Sequence, residues 1–413
     1  MFNKITQTNH NLNYLKLTYF ICQNNQEKLN LNLLIFDKYN MKNITENRRL
    51  ESLDILRGLD LFLLIFFQPV FISLARKMEL PCLDGIVKQF SHVHWEGFAL
   101  WDIIMPLFMF MAGVSMPFSL NKYINGKNKT GIYKRILKRV ILLWVLGAVV
   151  QGNLLALDIN HIYLYSNTLQ AIAAGYLITA IIFLNFKIRG IVFGAILLFA
   201  IYLLPMAIVG DYTPDGNFAE SVDRLILGRF RDGASFNEDG TWSFAPYYHY
   251  TWIWSSLNFA VTVMLGFLTG ETIRHFSNNK KQVVTTLTIG GIALILAGLL
   301  LSYLMPIIKT IWSSSMTLFS GGICVLLMAF FYFIVDYKGW GKGLMWLKIY
   351  GTNSIVAYVL GEVVNFRGVA NSFLFGLKQF CGDYYSTLLT FANFLILFFI
   401  LRAMYKAKIF IKI

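Results

Sequence analysis

Charged side chains are scarce in this sequence of 413 residues. They make up 14% of it, against about 25% in ordinary soluble domains. That scarcity, beside so much apolar surface, excludes a disordered chain and a typical water-soluble enzyme. Cysteine is sparse too: Cys22, Cys82, Cys324 and Cys381 are the four present, and none forms a metal-type C-x-x-C. No glycine-rich phosphate loop occurs. The glycine pairs at 290–291 and 321–322 sit inside apolar runs, where close helix packing accounts for them. The first 47 residues are polar and Asn-rich, without the basic start, apolar centre and small-residue cleavage site of a signal peptide.

What the sequence does have is apolar surface. Hydrophobic residues make up 56% and aromatics 16%, and the mean hydropathy is +0.56. Ten stretches are long enough to cross a bilayer. They lie at about 55–77, 98–120, 139–157, 167–186, 190–209, 251–270, 283–304, 314–335, 349–364 and 386–404, the ninth being short and carrying Gly and Asn. None alternates as a barrel strand would, and bilayer hydrocarbon leaves no partner for free backbone groups. The expected fold class is therefore all-α, a polytopic membrane bundle of about ten transmembrane helices. Residues 48–413 form this domain. Residues 1–47 are expected to be a disordered cytoplasmic extension, or a start-site over-prediction with translation beginning at Met41.

The formal charge of +14 invites a nucleic-acid reading, which the positions of the cations reject. With the chain before Leu53 in the cytoplasm, inner loops carry Lys134, Arg135, Lys138 and Arg139, then Lys187, Arg189, Arg274, Lys280 and Lys281. Lys338, Lys342, Lys348, Arg402, Lys406 and Lys408 continue the series. Outer loops hold fewer, among them Lys88, Arg224, Arg231 and Lys309, with most of the acids beside them. The positive-inside rule then places both termini in the cytoplasm. No nucleic-acid partner is expected; membrane lipids are. Cys82 and Cys381 both fall on the outer side, where a disulfide is allowed.

Polar residues in membrane segments are costly, so each is a functional candidate. Asp54 and Arg57 are three apart on one face of the first helix, an ion pair at the cytoplasmic end or a ligand contact. The stretch Phe90-Ser-His92-Val-His94-Trp95-Glu96-Gly-Phe98, followed by Trp101 and Asp102, opens the second helix on the outer side. If it is extended, His92, His94 and Glu96 point one way and could hold a metal. If it is helical, Glu96 shares a face with His92 and could orient its ring for base chemistry. The plain alternative is a wet interfacial loop with a Trp anchor. Gln170, Trp312, Ser315 and Asn353 either glue helices together or donate hydrogen bonds to a ligand carbonyl. Around 210–250, belt aromatics account for most of the Trp and Tyr, with a sugar-stacking platform as the sharper alternative.

At "RLESLDILRGLDLF", "FSHVHWEGFALWDIIMPLFMFMAGVS", "NTLQAIAAGYL" and "IWSSSMTLFSGGI…GTNSIVAYV", in order from about residue 49 to 404, the sequence resembles the heparan-alpha-glucosaminide N-acetyltransferase family and its bacterial relatives. The resemblance implies a multi-pass protein of the inner membrane, for which a homodimer is an allowed state. It would take acetyl-CoA from the cytoplasmic side as co-substrate, without a metal, and pass the acetyl group to the amine of a glucosamine-type sugar outside. His92, in H-x-x-W with Trp95, matches the family's catalytic histidine, as general base or acetyl carrier. Glu96 or Asp102 would orient it. The CoA nucleotide would meet the basic rim near Asp54 and Arg57, and Trp312, Ser315 or Asn353 would stabilise the oxyanion. Three departures stand out. Gln68 occupies the place of a family Asn, no D-P-E-G stretch precedes the sixth helix, and no counterpart of the animal enzymes' lumenal domain is read, so heparan sulfate is not inferred as acceptor. The alternatives are a sugar or small-solute transporter, and an O-acetyltransferase of cell-surface glycans.

Overall fold

A computed structural model describes residues 50–78, 80–124, 129–237, 239–246 and 249–411; the polar extension, Met41 and Cys22 lie outside them. The first helix, α1 (Glu51–Met78), is mainly apolar, carries Asp54, Arg57 and Asp60 in its first turns, and widens into a π turn at Leu63–Phe67. That turn stands directly before Pro69, whose ring would strike the carbonyl of Ile65 in a regular α-helix. Widening the turn lets α1 continue across the proline.

There follow α2 (Pro81–Gln89), α3 (Ile104–Ile124), α4 (Lys129–Val150) and α5 (Thr168–Val209). The last is two helix lengths joined at Lys187, whose φ is 57°. Then come α6 (Phe218–Leu227) and a short hairpin of β1 (Ala234–Phe236) and β2 (Trp242–Phe244), paired antiparallel with Ser235 opposite Ser243. Five more long or paired elements complete the bundle: α7 (Ser256–His275), α8 (Lys280–Leu301), α9 (Ser314–Tyr337), α10 (Met345–Thr352) and α11 (Ser354–Val363). Helix α12 (Phe366–Leu374) leads to the closing α13 (Tyr385–Lys406).

The bundle is all-α apart from the hairpin. Among the described residues, seven helical runs are long and apolar enough to cross a membrane. The ten apolar stretches do not map onto ten such runs, for three physical reasons. Stretches four and five merge into kinked α5. The third falls on α4, whose first half carries Lys134, Arg135, Lys138 and Arg139. The ninth is split at Asn353 into α10 and α11.

Helices pack closely where glycine faces backbone. A Cβ added at Gly322 would stand 2.7 Å from the Gly291 carbonyl oxygen, and one at Gly266 2.0 Å from that of Phe110. So α8 lies against α9, and α3 against α7, with no room for a side chain between them. The two ends of the described chain meet at one end of the bundle. Gly351 abuts the Asp54 backbone, while the Asn353 amide donates to the Ile409 carbonyl at 3.0 Å and accepts from the Ile411 N–H at 3.0 Å. Cys82 and Cys381 are separate free thiols.

Candidate active site

At the far end of α1 the chain turns through α2 into an irregular stretch, 90–99. It is neither the strand nor the helix that the H-x-H-x-E pattern allowed. One antiparallel bridge joins Glu96 to Ile308, and the Gly97 N–H donates to the Ile307 carbonyl at 2.8 Å. Gly97 then turns the chain away with φ of 118°, a conformation L side chains rarely adopt. The next turn is a 3₁₀ turn, Leu100–Ile103, which begins α3. Asp102 sits in it because one carboxylate oxygen accepts the Ala99 N–H at 3.0 Å, as acids do in the first turn of a helix.

This capping aims the other oxygen at His92. The His92 Nδ1 to Asp102 Oδ1 distance is 2.7 Å, with the imidazole 45% exposed and the carboxylate 2% exposed. A carboxylate accepts only, so in this contact Nδ1 is the donor. The arrangement is a half-exposed histidine with one nitrogen held by a buried carboxylate. Glu96 and His94 are exposed; the carboxylate in contact with the His92 ring is Asp102, and the three-residue metal geometry does not form.

A third charged group completes the cluster. The Lys309 ammonium lies 3.5 Å from Asp102 Oδ1, 3.0 Å from His92 Nδ1 and 3.3 Å from Nε2. Its segment is pinned by the bridge at Ile308 and by Ser313, whose hydroxyl accepts the Ile308 N–H at 3.1 Å. Burial lowers the proton affinity of Lys309 to about 8, against the upward pull of Asp102. Tyr250 stands within electrostatic reach of Asp102, and burial first, then the charges of Asp102 and Asp232, pushes its hydroxyl up to about 12.

Around this cluster, Gln68 donates to the Phe90 carbonyl at 3.2 Å, which ties the end of α1 to the segment bearing His92. The Trp95 indole donates to the Tyr212 carbonyl at 2.8 Å and meets His249 edge-on at 5.9 Å, so it anchors the 210–250 segment beside the site. That segment is itself held by buried Arg231, whose two terminal nitrogens bind both oxygens of Glu220 at 2.7 and 2.5 Å.

Other expected site residues are placed elsewhere. Asp54 and Arg57 pair at 3.7 Å, and Arg57 also donates to the Met111 carbonyl at 3.2 Å. They stand eleven or more positions before Gln68 on α1, roughly 16 Å along the helix. Asn353 belongs to that opposite end, bound to Ile409 and Ile411, so it does not face His92. The Ser315 hydroxyl donates to the Pro306 carbonyl at 2.9 Å. Gln170 closes the α4–α5 connection through the Ser166 N–H at 2.8 Å and the Leu164 carbonyl at 3.1 Å. The Trp312 indole donates to Thr262 at 3.3 Å and is buried on Phe259. In this structure these groups bind backbone and neighbouring side chains. Lys309 was visible in the sequence only as an outer-loop cation, 217 positions from His92.

The catalytic-region model of the heparan-alpha-glucosaminide N-acetyltransferases matches residues 49–214, a span that contains His92, Trp95 and Asp102. The chain is 24% identical over 372 residues to the heparan-alpha-glucosaminide N-acetyltransferase of Homo sapiens, a likeness covering 76% of this chain. It spans about half (53%) of the length of that curated relative. A membrane-helix fold, the ordered motifs and the histidine-bearing segment thus agree in what the chain is similar to: the catalytic region of the heparan-alpha-glucosaminide N-acetyltransferases.

Proposed function

We propose that this protein is a transmembrane acetyltransferase that moves an acetyl group from acetyl-CoA to the amine of a glucosamine-type sugar. The observation that carries this reading is the His92–Asp102 pair, which holds Nδ1 on a half-exposed ring whose Nε2 has the Lys309 ammonium at 3.3 Å. The acceptor enters as the free amine, and its nitrogen attacks the thioester carbonyl. As the C–N bond forms and the C–S bond breaks, Nε2 takes the proton from the nitrogen and returns it to the departing thiolate. Transfer through acetyl-His92 uses the same nitrogen as nucleophile.

Charge placement supports the sidedness. Taking kinked α5 as two crossings, and α4 and the α10–α11 pair as one each, gives ten; with both termini in the cytoplasm of an inner-membrane protein, the His92 end is then outside and the cationic end inside. The polyanionic CoA nucleotide then meets Arg57, Arg135 and Arg139. Arg139 lies over the Tyr176 ring at 4.2 Å, facing α5. The test is purified protein with radiolabelled acetyl-CoA and a panel of amino sugars, in vesicles loaded with either substrate. Acetylated sugar that disappears in His92→Ala supports the reading. Sugar flux without acetylation points to a transporter, and acetylation only on hydroxyls to an O-acetyltransferase.

A further inference from the structure

Lys309 has no task in the proton transfer as written, yet it stands closer to the imidazole than any group except Asp102. Its ammonium nitrogen is 3.0 Å from Nδ1 and 3.3 Å from Nε2 of His92. A nitrogen nearly equidistant from both ring nitrogens cannot lie along the lone pair of either. It is a charge held against the ring as a whole, while Nδ1 keeps its contact with Asp102 at 2.7 Å.

We infer that Lys309 is a positioning residue that holds His92 in its neutral, proton-accepting form against the pull of Asp102. This deepens the acetyltransferase reading and rests on it for its catalytic meaning. A carboxylate beside an imidazole favours the imidazolium, and an imidazolium has no lone pair with which to act as base. A fixed cation on the ring opposes that form. Asp102 is shared between the two: its Oδ1 is 2.7 Å from His92 and 3.5 Å from Lys309. One carboxylate therefore faces two groups able to be cationic, and only one positive charge is balanced.

Geometry keeps the lysine in place. Its segment is bridged at Glu96 and Ile308, its side chain is 11% exposed, and the neighbouring Ile308 is fully buried. Among the described residues, Asp232 acts on Tyr250 and His249 meets Trp95; the titratable groups next to the pair are Tyr250, Glu96 and His94. Burial holds Tyr250 uncharged well above neutrality, and the other two are exposed to solvent, where screening weakens their influence. Lys309 is thus the cation that sets the balance.

The deciding measurement is the pH profile of kcat/KM for the wild type, Lys309→Met and Lys309→Arg. In Lys309→Met the acidic limb should move to higher pH by about one to two units, with activity regained as pH rises. Lys309→Arg, which keeps the charge, should hold the limb near its original position. An unmoved limb in Lys309→Met overturns the inference, as does an equal shift in Lys309→Arg. If Lys309→Met does not fold, Lys309→Gln gives the same readout with a polar tip and no charge.

A second readout needs no turnover. Of the two forms of imidazole, diethyl pyrocarbonate modifies only the neutral one, so its rate at His92, taken against His92→Ala, reports the protonation of that ring. Its midpoint should rise in Lys309→Met by the same amount. A midpoint shift in protein that transfers no acetyl group rejects the acetyltransferase reading and keeps the role of Lys309. Transfer with no midpoint shift does the reverse.

Discussion

Two carboxylates lie buried on the same side of this molecule with cations against them, and they have opposite outlets. Glu220 is enclosed with Arg231: both side chains are at most 1% exposed. Both oxygens of Glu220 are bound by Arg231, and Arg224 adds a bond at 2.7 Å. Asp102 is equally buried, but its partner His92 is 45% exposed. The first cluster satisfies its charges by turning them inward. The second fixes one nitrogen of a ring that stands half in solvent. Burial of a carboxylate therefore does not distinguish structure from chemistry here; the exposure of what it binds does. Arg231 fastens the 210–250 segment, which also receives the Trp95 indole at Tyr212, so the closed cluster supports the open one.

Exchanging the kind of damage done at each cluster tests this contrast. The largest effect on turnover is expected at His92. Removing a general base costs about 10² to 10⁴-fold in rate, and His92→Ala should reach that range, measured as acetyl transfer by purified protein. Its melting temperature should barely change, because the ring is half in solvent. Unchanged turnover would place the chemistry elsewhere.

The converse holds at Arg231. Arg231→Met leaves Glu220 charged, buried and short of its main partner, a situation that costs about 3–5 kcal/mol. The loss should show in thermal unfolding and in faster proteolytic cutting between residues 210 and 250. A variant with unaltered melting would remove the distinction between a closed cluster and an open one.

Asp102→Asn falls between these. The amide can still reach Nδ1, but nothing then selects the tautomer with Nε2 free. We expect roughly a hundredfold slower transfer, toward the low end of the loss from removing the base itself. Stability should fall by about 1 kcal/mol, since the Ala99 N–H keeps an acceptor. Glu96→Gln, by contrast, should leave transfer near wild type, because Glu96 is exposed and joins the site through its backbone. A larger loss from Glu96→Gln than from Asp102→Asn would reverse the assignment of the orienting carboxylate.

Much of this organisation was legible from hydropathy and charge alone. Apolar stretches such as 98–120 and 251–270 correspond to α3 and α7, because a run that long has no other way to satisfy its backbone in lipid. Breaks inside helical runs were not legible. The split at Asn353 depends on residues 409 and 411 binding its side chain, a pairing no local pattern announces. The same limit affected the polar candidates. Intramembrane Gln, Ser and Asn signal that a partner exists without naming it, and for Gln170, Ser315 and Asn353 the partners proved to be backbone groups. His92 and Asp102 were readable, being ten positions apart on one connection. Lys309 was not, since only the bridge between Glu96 and Ile308 brings it to the ring.

The smallest expected effect is on stability, and it separates the two clusters by pH. Burial lowers the proton affinity of Lys309 to about 8, whereas an unfolded lysine titrates near 10.4. Between these values the unfolded chain binds more protons than the folded one, so folding stability rises with pH across that window. The gain is at most about 3 kcal/mol, one pKa unit being worth 1.36 kcal/mol, and relaxation around the amine reduces it. Below about pH 8 both states are protonated and the lysine makes no contribution to the slope. Melting temperatures of the wild type and of Lys309→Met, followed from pH 7.5 to about 10, should differ by an amount that changes in favour of the wild type as pH rises. Arg231→Met should show no such divergence, because a guanidinium keeps its charge throughout that range. Parallel curves for Lys309→Met and the wild type would mean that the lysine is as well solvated as a surface cation.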